Sequence, residues 1–540
     1  MTLQPVLELE NNRVIQHVLV VGFHHKKGAV VEYAFPPLSK NSDIIEVPEL
    51  WRHMPSLAIP DGAHNFEWDI IYFHLPSLEE PGKALFCISC YRQIQAQDVK
   101  NPTKDITRSS VQKAICVISR LPLFGHIRVH VWEVADHYMK GGDFSVVGEF
   151  PKLFRNLNLR LSPEMLRSPE LFFGLKVIDL LLLFRHRLLV LLKCILLEKR
   201  ILFVHSPVHA LSASILAMLS LLPRMLEDGL FNATDIPTSS YSVLPPVGKT
   251  DRKFSEDSET LEPQNGPHLD LEILDKINLE QAGFPFPVFG RGNVCHPFLA
   301  LPYVDLLSSE NVRGFVVGAS NILFKQKKHL SDVIVELEGG KVDILDPELK
   351  KTTSLSTEDS RFMDYLVRRV TESSDGAISP DSTCSSGCKK QGADDWVRKA
   401  FWVYFIHLAA TVDQETVSSQ ANAEMQSDSF SGAFVSSWRE TRNFQLWDRK
   451  AKIVNVPHAR HPFAGSVSMA DMKIKLAQIS HNMQTTERGK KINESLAVTG
   501  KAVGGAIEQA KGFISNLWTG LSTQRSLLPS EDKEGSSSST

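Results

Sequence analysis

Hydrophobic residues along this chain fall into short runs separated by polar turns, and one run is denser than the rest. Residues 177–197 are rich in Leu and Ile, interrupted by Asp179, Arg185, His186, Arg187 and Lys193. At about 100° per residue, Lys176, Asp179, His186, Arg187, Lys193 and Glu198 share an arc of roughly 140° and leave the other face apolar, as in a core helix. Arg185 alone falls on the apolar side. An unpaired charge there would cost several kcal/mol, so an internal ion pair between Arg185 and a buried carboxylate is expected. Residues 201–205 read as a strand ended by Ser206-Pro207, and 211–222 as a second apolar helix stopped by Pro223. Helix, strand and helix with almost no loop predict an α/β unit whose strand is buried on both faces. A membrane span would have comparable length, but each central charge costs about 2.5–3.5 kcal/mol on insertion. No transmembrane span is expected.

Upstream, residues 14–23 and 29–35 flank the turn 24–28 and predict a hairpin closed by Pro36-Pro37. Strands follow at 70–75 and 84–93, after a turn-rich stretch at 60–65. Val111, Ala114, Ile115, Ile118 and Leu121 recur at helical spacing, as do Ile127, Val131, Val134 and Tyr138, so two helices are predicted there. The expectation is a small sheet with helices on one side. Downstream, 234–268 is poor in large aliphatics and rich in Pro, Ser, Asp and Glu, a linker or disordered insertion. Residues 312–320 and 322–325 are β candidates, and 333–338 with 341–345 form a second hairpin across Gly339-Gly340. Helices are predicted at 362–370 and 396–412 around a disordered loop at 373–392. An irregular and helical extension covers 413–465, with a Pro/His segment at 458–463. A helical region then begins near Ser468, where Asp471 completes capping-box spacing, and the tail from Pro529 onward is solvated.

The chain has 540 residues, of which 43% are hydrophobic, enough for substantial cores. Its net charge of −3 gives no electrostatic case for nucleic acid. Seven scattered cysteines, with no secretory signal at the start of the sequence, fit a reducing, cytoplasmic setting. Signatures of covalent chemistry weaken on inspection. Cys87 and Cys90 form a CxxC within a predicted strand, where residues three apart face opposite ways, so two buried thiols are favoured over a metal or redox pair. His205 and His209 have helical metal-ligand spacing, but Pro207 lies between them. Cys384 and Cys388 sit in a Ser/Gly-rich loop without an evident partner ligand. His458 and His461 read as exposed loop histidines. Gly290-Arg291-Gly292 lacks the third glycine of a dinucleotide loop, and neither a GxxxxGK loop nor a GxSxG elbow occurs. No cofactor or metal is expected, and recognition remains.

The C-terminal region offers a surface for it. Leu496, Val503, Ile507, Ala510, Phe513, Ile514, Leu517, Trp518 and Leu521 fall within an arc of roughly 140° on a helical wheel. Gly504, Gly505 and Gly512, at about 1 kcal/mol each, make this helix poor in water. A helix marginal alone yet strongly amphipathic is expected to form at an interface. Val503, Ile507, Phe513, Ile514, Leu517, Trp518 and Leu521 are the candidate membrane-binding residues, against packing on the body or on a partner helix.

The stretch 18–28, followed by Pro36-Pro37, by 57–65 (LAIPDGAHN) and by 89–94 (SCYRQI), resembles the Avl9 family of the DENN superfamily. The stretches 196–203 with Ser206-Pro207, 312–316, 318–324 and 486–491 extend the likeness over nearly the whole chain. The resemblance implies an α/β protein with a longin-like upstream module at about 10–140. The central DENN module would begin at 141–232, with its helix-strand-helix core, and after the linker 233–268 the central and downstream modules would continue at 269–412. The extension 413–465, the amphipathic region 466–522 and the tail 523–540 complete the chain. It further implies action on a Rab-class small GTPase, often as a guanine nucleotide exchange factor, and a role in late secretory or recycling-endosome traffic and in cell migration. The expected location is cytoplasmic, peripheral on recycling-endosome or Golgi-derived membranes. An exchange surface would need shape and no acid, base or nucleophile. Polar loop residues His64 and Asn65 are the candidate partner surface, against a role confined to their turn. The alternative is an adaptor or tether that binds a Rab or a coat without exchange and is held on membrane by the C-terminal helix.

Overall fold

The computed structural model describes residues 13–39, 45–102, 109–237, 269–375, 392–415, 428–450, 452, 454, 456 and 459–464. The expected linker from 238 onward, most of the loop 373–392, and everything beyond 464, including all seven candidate membrane-binding residues, lie outside the described residues. What is described is a mixed α/β fold with two five-stranded sheets.

The first sheet is antiparallel throughout. It comprises β1 (Ile15–His24), β2 (Gly28–Phe35), β3 (Trp68–Pro76), β4 (Ala84–Gln95) and β5 (Ser110–Ser119), in the order β2-β1-β5-β4-β3. The hairpin β1–β2 and the strands β3 and β4 stand where apolar runs bounded by turn residues predict them. β5 does not: residues 111–121 carry helical spacing yet form the central strand, paired with β1 and with β4. A strand buried on both faces is apolar at nearly every position, so any period can be picked out of it, and the Val and Ile content favours the extended form. Helices α1 (Phe124–Gly141) and α2 (Glu149–Arg160) cover one face, with Phe124 against Tyr72 and Phe86 and Phe150 against Tyr33. Helices are not confined to that side. The short helix Met54–Ala58 lies on the other, where the Ser89 hydroxyl donates to the Ala58 carbonyl at 2.9 Å.

The dense run 177–197 is two helices, α3 (Val177–Phe184) and α4 (His186–Leu196), broken at Arg185, whose φ is 48° and ψ −127°. Neither is long enough to span a bilayer, and among the described residues no helix is long and apolar enough to do so. The break takes Arg185 off the wheel and the second half of α4 is buried on every side, which overturns two expectations drawn from a continuous amphipathic helix. Arg185 is exposed at the break, where its charge is hydrated. The buried ion pair expected of it is made by Lys193, placed by the wheel on the polar arc but 0% exposed, with Asp359, also 0% exposed, at 2.6 Å.

After α4 come β6 (Arg200–Val204) and α5 (Val208–Leu219), then β7 (Asn293–His296), β8 (Gly314–Ala319), β9 (Val333–Glu336) and β10 (Lys341–Ile344). The second sheet runs β10-β9-β6-β8-β7, parallel except for β10. Its centre, β6, is buried on both faces, as the helix-strand-helix pattern requires. Between β9 and β10 the chain turns through Gly339 and Gly340, at φ 72° and 60°, in a four-residue connection rather than a two-residue one. Residues 322–325 form not a strand but the first turn of a short helix, Ile322–Gln326, started by the Asn321 side chain accepting from Leu323 N at 3.0 Å.

Helices α6 (Thr357–Asp375) and α7 (Asp394–Glu415) pack near α3 and α4, and α8 (Gly432–Arg439) and α9 (Arg442–Asp448) follow. Asp359 gathers this region. One oxygen takes Lys193; the other takes the Tyr404 hydroxyl at 2.7 Å and lies 3.3 Å from His461 Nε2. Burial pushes the Asp359 carboxyl up, but the neighbouring Lys193 and His461 outweigh it and leave it below the usual carboxylate range. His461, expected to be an exposed loop residue, is 1% exposed. It lies edge-on to Tyr404 and tilted against Phe430 because the extension folds back over α6 and α7. His458 lies outside the described residues.

Replacing Lys193 with Met leaves a buried carboxylate without its counter-charge, and a loss of about 3–5 kcal/mol is expected in urea unfolding. A loss below 1 kcal/mol, at the scale of an exposed pair, would contradict the assignment. Burial holds His74 at a pKa of about 3 and His296 and His407 at about 4, below the ordinary 6.5. Their stabilising effect is complete above pH 6.5. Below it the unfolded chain takes up protons that the native one refuses, and stability falls by up to about 3 kcal/mol per histidine as pH approaches 4. The urea midpoint should therefore decline from pH 7 to pH 5, and a midpoint unchanged over that interval would refute this.

Candidate interaction cleft

Where β3 meets α5, a carboxylate organises the junction. Asp69 is 1% exposed and sits second in the strand, an acid inside an apolar run. Its oxygens accept from Val208 N at 2.9 Å and His209 N at 2.8 Å, capping α5, and lie 3.1 Å from His209 Nδ1. A buried carboxylate is tolerable when donors of this kind surround it. Once docked, α5 presents the Ser212 hydroxyl to Tyr72 N at 3.3 Å, so an amide on the open edge of β3 is satisfied by a side chain. Farther along β3, His74 Nδ1 donates to the Cys295 carbonyl at 2.8 Å, tying the first sheet to β7.

Beside this seam lies a cleft of about 940 Å³, walled by β3, α1, the segment 169–176, α5 and the first turns of α3 and α7. Small residues Ala210, Ala213, Ser214 and Ala217 line the α5 side and keep it open. Two aromatic residues mark the rim, Trp68 at 38% and Phe173 at 59% exposed. Trp68 lies against His209, with ring centroids 5.1 Å apart, and edge-on to Trp132 at 5.2 Å. Arg92 sits over Trp132 at 4.6 Å and is anchored by Asp136 at 2.8 Å. Deeper, Arg398 is 3% exposed, donates to the Ser220 hydroxyl at 3.1 Å and lies 4.1 Å above the Phe172 ring; burial lowers its pKa. Arg128 lies against Gly174, where a β-carbon would clash with its Nη1. The acids are engaged: Asp394 accepts from Ile178 N at 2.9 Å and Asp395 pairs with Lys399 at 2.6 Å. Burial pushes the Tyr72 hydroxyl up to about 12, against the opposing charge of Arg128.

This arrangement suits recognition by shape. Aromatic and arginine side chains that a partner would desolvate on seating are where binding energy concentrates in protein interfaces, and an apolar cleft with a few polar groups is the usual shape of a binding site. Among the described residues, no group of three or more His, Cys, Asp or Glu side chains is placed to hold a metal ion. Cys87 and Cys90 lie on opposite faces of β4, both buried, and burial raises both thiols, Cys90 to about 12. His209 is occupied by Asp69.

The sequence-predicted partner residues His64 and Asn65 are exposed on the 3-10 turn Ala63–Asn65, after Gly62 at φ 80°. The His64 carbonyl accepts from Gln93 Nε2 at 3.2 Å and Asn65 N donates to the Gly62 carbonyl at 3.0 Å, so their backbones close the turn while their side chains face outward. They lie just upstream of Trp68, the first residue of β3, but do not line the cleft. Arg185 is also outside it. Trp68, Phe173, Arg128 and Arg398 were not anticipated; Asp69 was the one local signal available.

The described residues form a two-sheet α/β body with an open cleft at its seam, and the comparisons place it among transport proteins. Residues 15–412 match the family model described as "Transport protein Avl9", and the chain belongs to that family. It is 30% identical over 458 residues to the late secretory pathway protein avl9 of Schizosaccharomyces pombe, covering 82% of this chain and 88% of that one. It is 28% identical over 522 residues to the late secretory pathway protein AVL9 of Saccharomyces cerevisiae, covering 89% of this chain and 64% of that one. The motifs from 18–28 to 318–324 that carry the family resemblance all lie within the matched residues 15–412.

Proposed function

We propose that this chain is a DENN-type trafficking protein of the late secretory pathway that binds a Rab-class small GTPase and promotes release of its nucleotide. The cleft between β3 and α5 is the docking surface, and its exposed aromatic rim is the observation that carries the reading. Support for the module assignment comes from the antiparallel sheet with α1 and α2 on one face, followed by a parallel α/β sheet. That is the longin-like and central DENN order the family resemblance implies. Exchange works by gripping the switch regions and favouring the nucleotide-free form, which demands a rigid, complementary wall and no covalent step. The Asp69 cap and the His74 bond to Cys295 supply that rigidity. The names of the two yeast relatives support a place in the late secretory pathway, and recycling-endosome or Golgi-derived membranes are where the family resemblance would put it, with cell migration a downstream effect.

A panel of Rab-class GTPases loaded with fluorescent GDP tests this. At least one should release nucleotide faster with the intact chain, and Trp68→Ala or Phe173→Ala should weaken that effect by about tenfold or more, the scale of an aromatic hot spot. Binding without release would make the protein an adaptor or tether; binding to no Rab would end the proposal. Membrane attachment is assigned to Val503, Ile507, Phe513, Ile514, Leu517, Trp518 and Leu521, because apolar insertion of such a stripe needs few charges. In liposome flotation, a chain truncated after Gln484 should lose binding, and undiminished flotation would remove the membrane role from this segment.

A further inference from the structure

At the other end of the parallel sheet, three strand starts bring arginines together. β6, β7 and β8 run parallel, with Asn293 opposite Gly314 and Arg200 opposite Phe315. The residues just before them, Glu198, Arg291 and Arg313, are therefore neighbours at one edge. Arg313 pairs with Glu198 through Nη1 and donates from Nε to the Arg291 carbonyl at 3.1 Å. α9 adds a third arginine: Asn443 N donates to Glu198 Oε1 at 2.8 Å, which brings the adjacent Arg442 to the same place.

Two carboxylates lie nearby, and neither forms an ion pair with Arg291 or Arg442. Glu198 has one oxygen on Arg313 and the other on the Asn443 backbone and side-chain amides. Asp235 accepts from Arg291 N at 2.9 Å. Among the described residues no carboxylate pairs with the guanidinium of Arg291 or of Arg442. The Gly290-Arg291-Gly292 loop is also unusual, with φ of 118°, 50° and 84° in succession. Glycine adopts such values freely, whereas an arginine rarely does. Residues held in this way cluster at ligand sites, and here the strained residue carries an exposed, unpaired cation.

We propose that Arg291, Arg313 and Arg442 form a binding site for a phosphate monoester. Guanidinium forks match phosphate oxygens in pairs, and an anion would offset the positive charge that two carboxylates among three arginines leave over. Around Arg442, partial burial and the charges of Arg313 and Arg291 lower the pKa, against the opposing charges of Glu198 and Asp235. The site is remote from the cleft along the strands and does not depend on which partner the cleft receives.

The test uses the full chain with two phosphate sources. Soluble inositol 1,4-bisphosphate and inorganic phosphate are titrated calorimetrically, and co-sedimentation compares liposomes of phosphatidylcholine containing either phosphatidylinositol 4-phosphate or phosphatidylinositol. Arg291→Gln combined with Arg442→Gln should weaken the soluble phosphate ligand by about tenfold or more, as expected for two charge-assisted contacts, with the melting temperature kept. Neither side chain has a partner whose loss would unfold the protein, and Trp68→Ala should leave this binding intact. Phosphate-dependent sedimentation lost in the double variant identifies a lipid headgroup as the source. Soluble binding lost without any phosphate-dependent sedimentation identifies a free phosphate ester. Absence of phosphate binding by the unaltered chain, or binding unchanged in the double variant, overturns the proposal.

Discussion

The contact on which the molecule's working surface depends is Asp69 at the start of α5. A single buried carboxylate, offered by the last strand of one sheet, satisfies the orphan amides at the head of a helix belonging to the other. Orphan amides at a helix start carry partial positive charge and must find acceptors. Here the acceptor comes from about 140 residues away in sequence, so a requirement of local helix geometry becomes a long-range clamp. The cleft exists because that clamp sets α5 beside β3 while its small side chains leave space.

A second buried charge system plays a comparable part farther down the chain. Asp359 joins α4 through Lys193, α7 through Tyr404 and the extension through His461. Burying ions is costly, and replacing such a pair with apolar residues is often neutral or better. What the pair supplies is register: the lysine must meet its carboxylate, and only one packing of α4, α6, α7 and the extension permits it. The aromatic cluster of Phe362, Tyr404, Phe430 and Phe463 then fills the space around it.

Much of the architecture was legible in the residue pattern. The hairpin β1–β2, the strands β3, β4, β6 and β8, and helices α1, α5, α6 and α7 follow from apolar runs punctuated by Gly, Pro and polar turns. The failures have physical causes. β5 is buried on both faces and has no alternation to reveal it. Arg185 was misplaced because a helical wheel carries no information across a backbone break, and Lys193 because the second half of α4 is enclosed on every side and keeps no polar face. Ile322–Gln326 is helical because Asn321 supplies a cap, a cue outweighed by the β-branched neighbour. The cleft was the least legible feature. Its walls come from residues 68–72, 128, 169–180, 209–217 and 394–398, and no periodicity within any one segment announces that the five will meet.

The Ser212 hydroxyl on the Tyr72 amide has a consequence for how any partner can be chosen. An unguarded strand offers its main chain to every peptide alike, and association by sheet extension is correspondingly indiscriminate. With α5 laid along β3, that route is shut on this flank. Whatever settles there must be sorted by side-chain fit, so the partner repertoire can diverge by substitution at a few rim positions while the scaffold beneath stays the same.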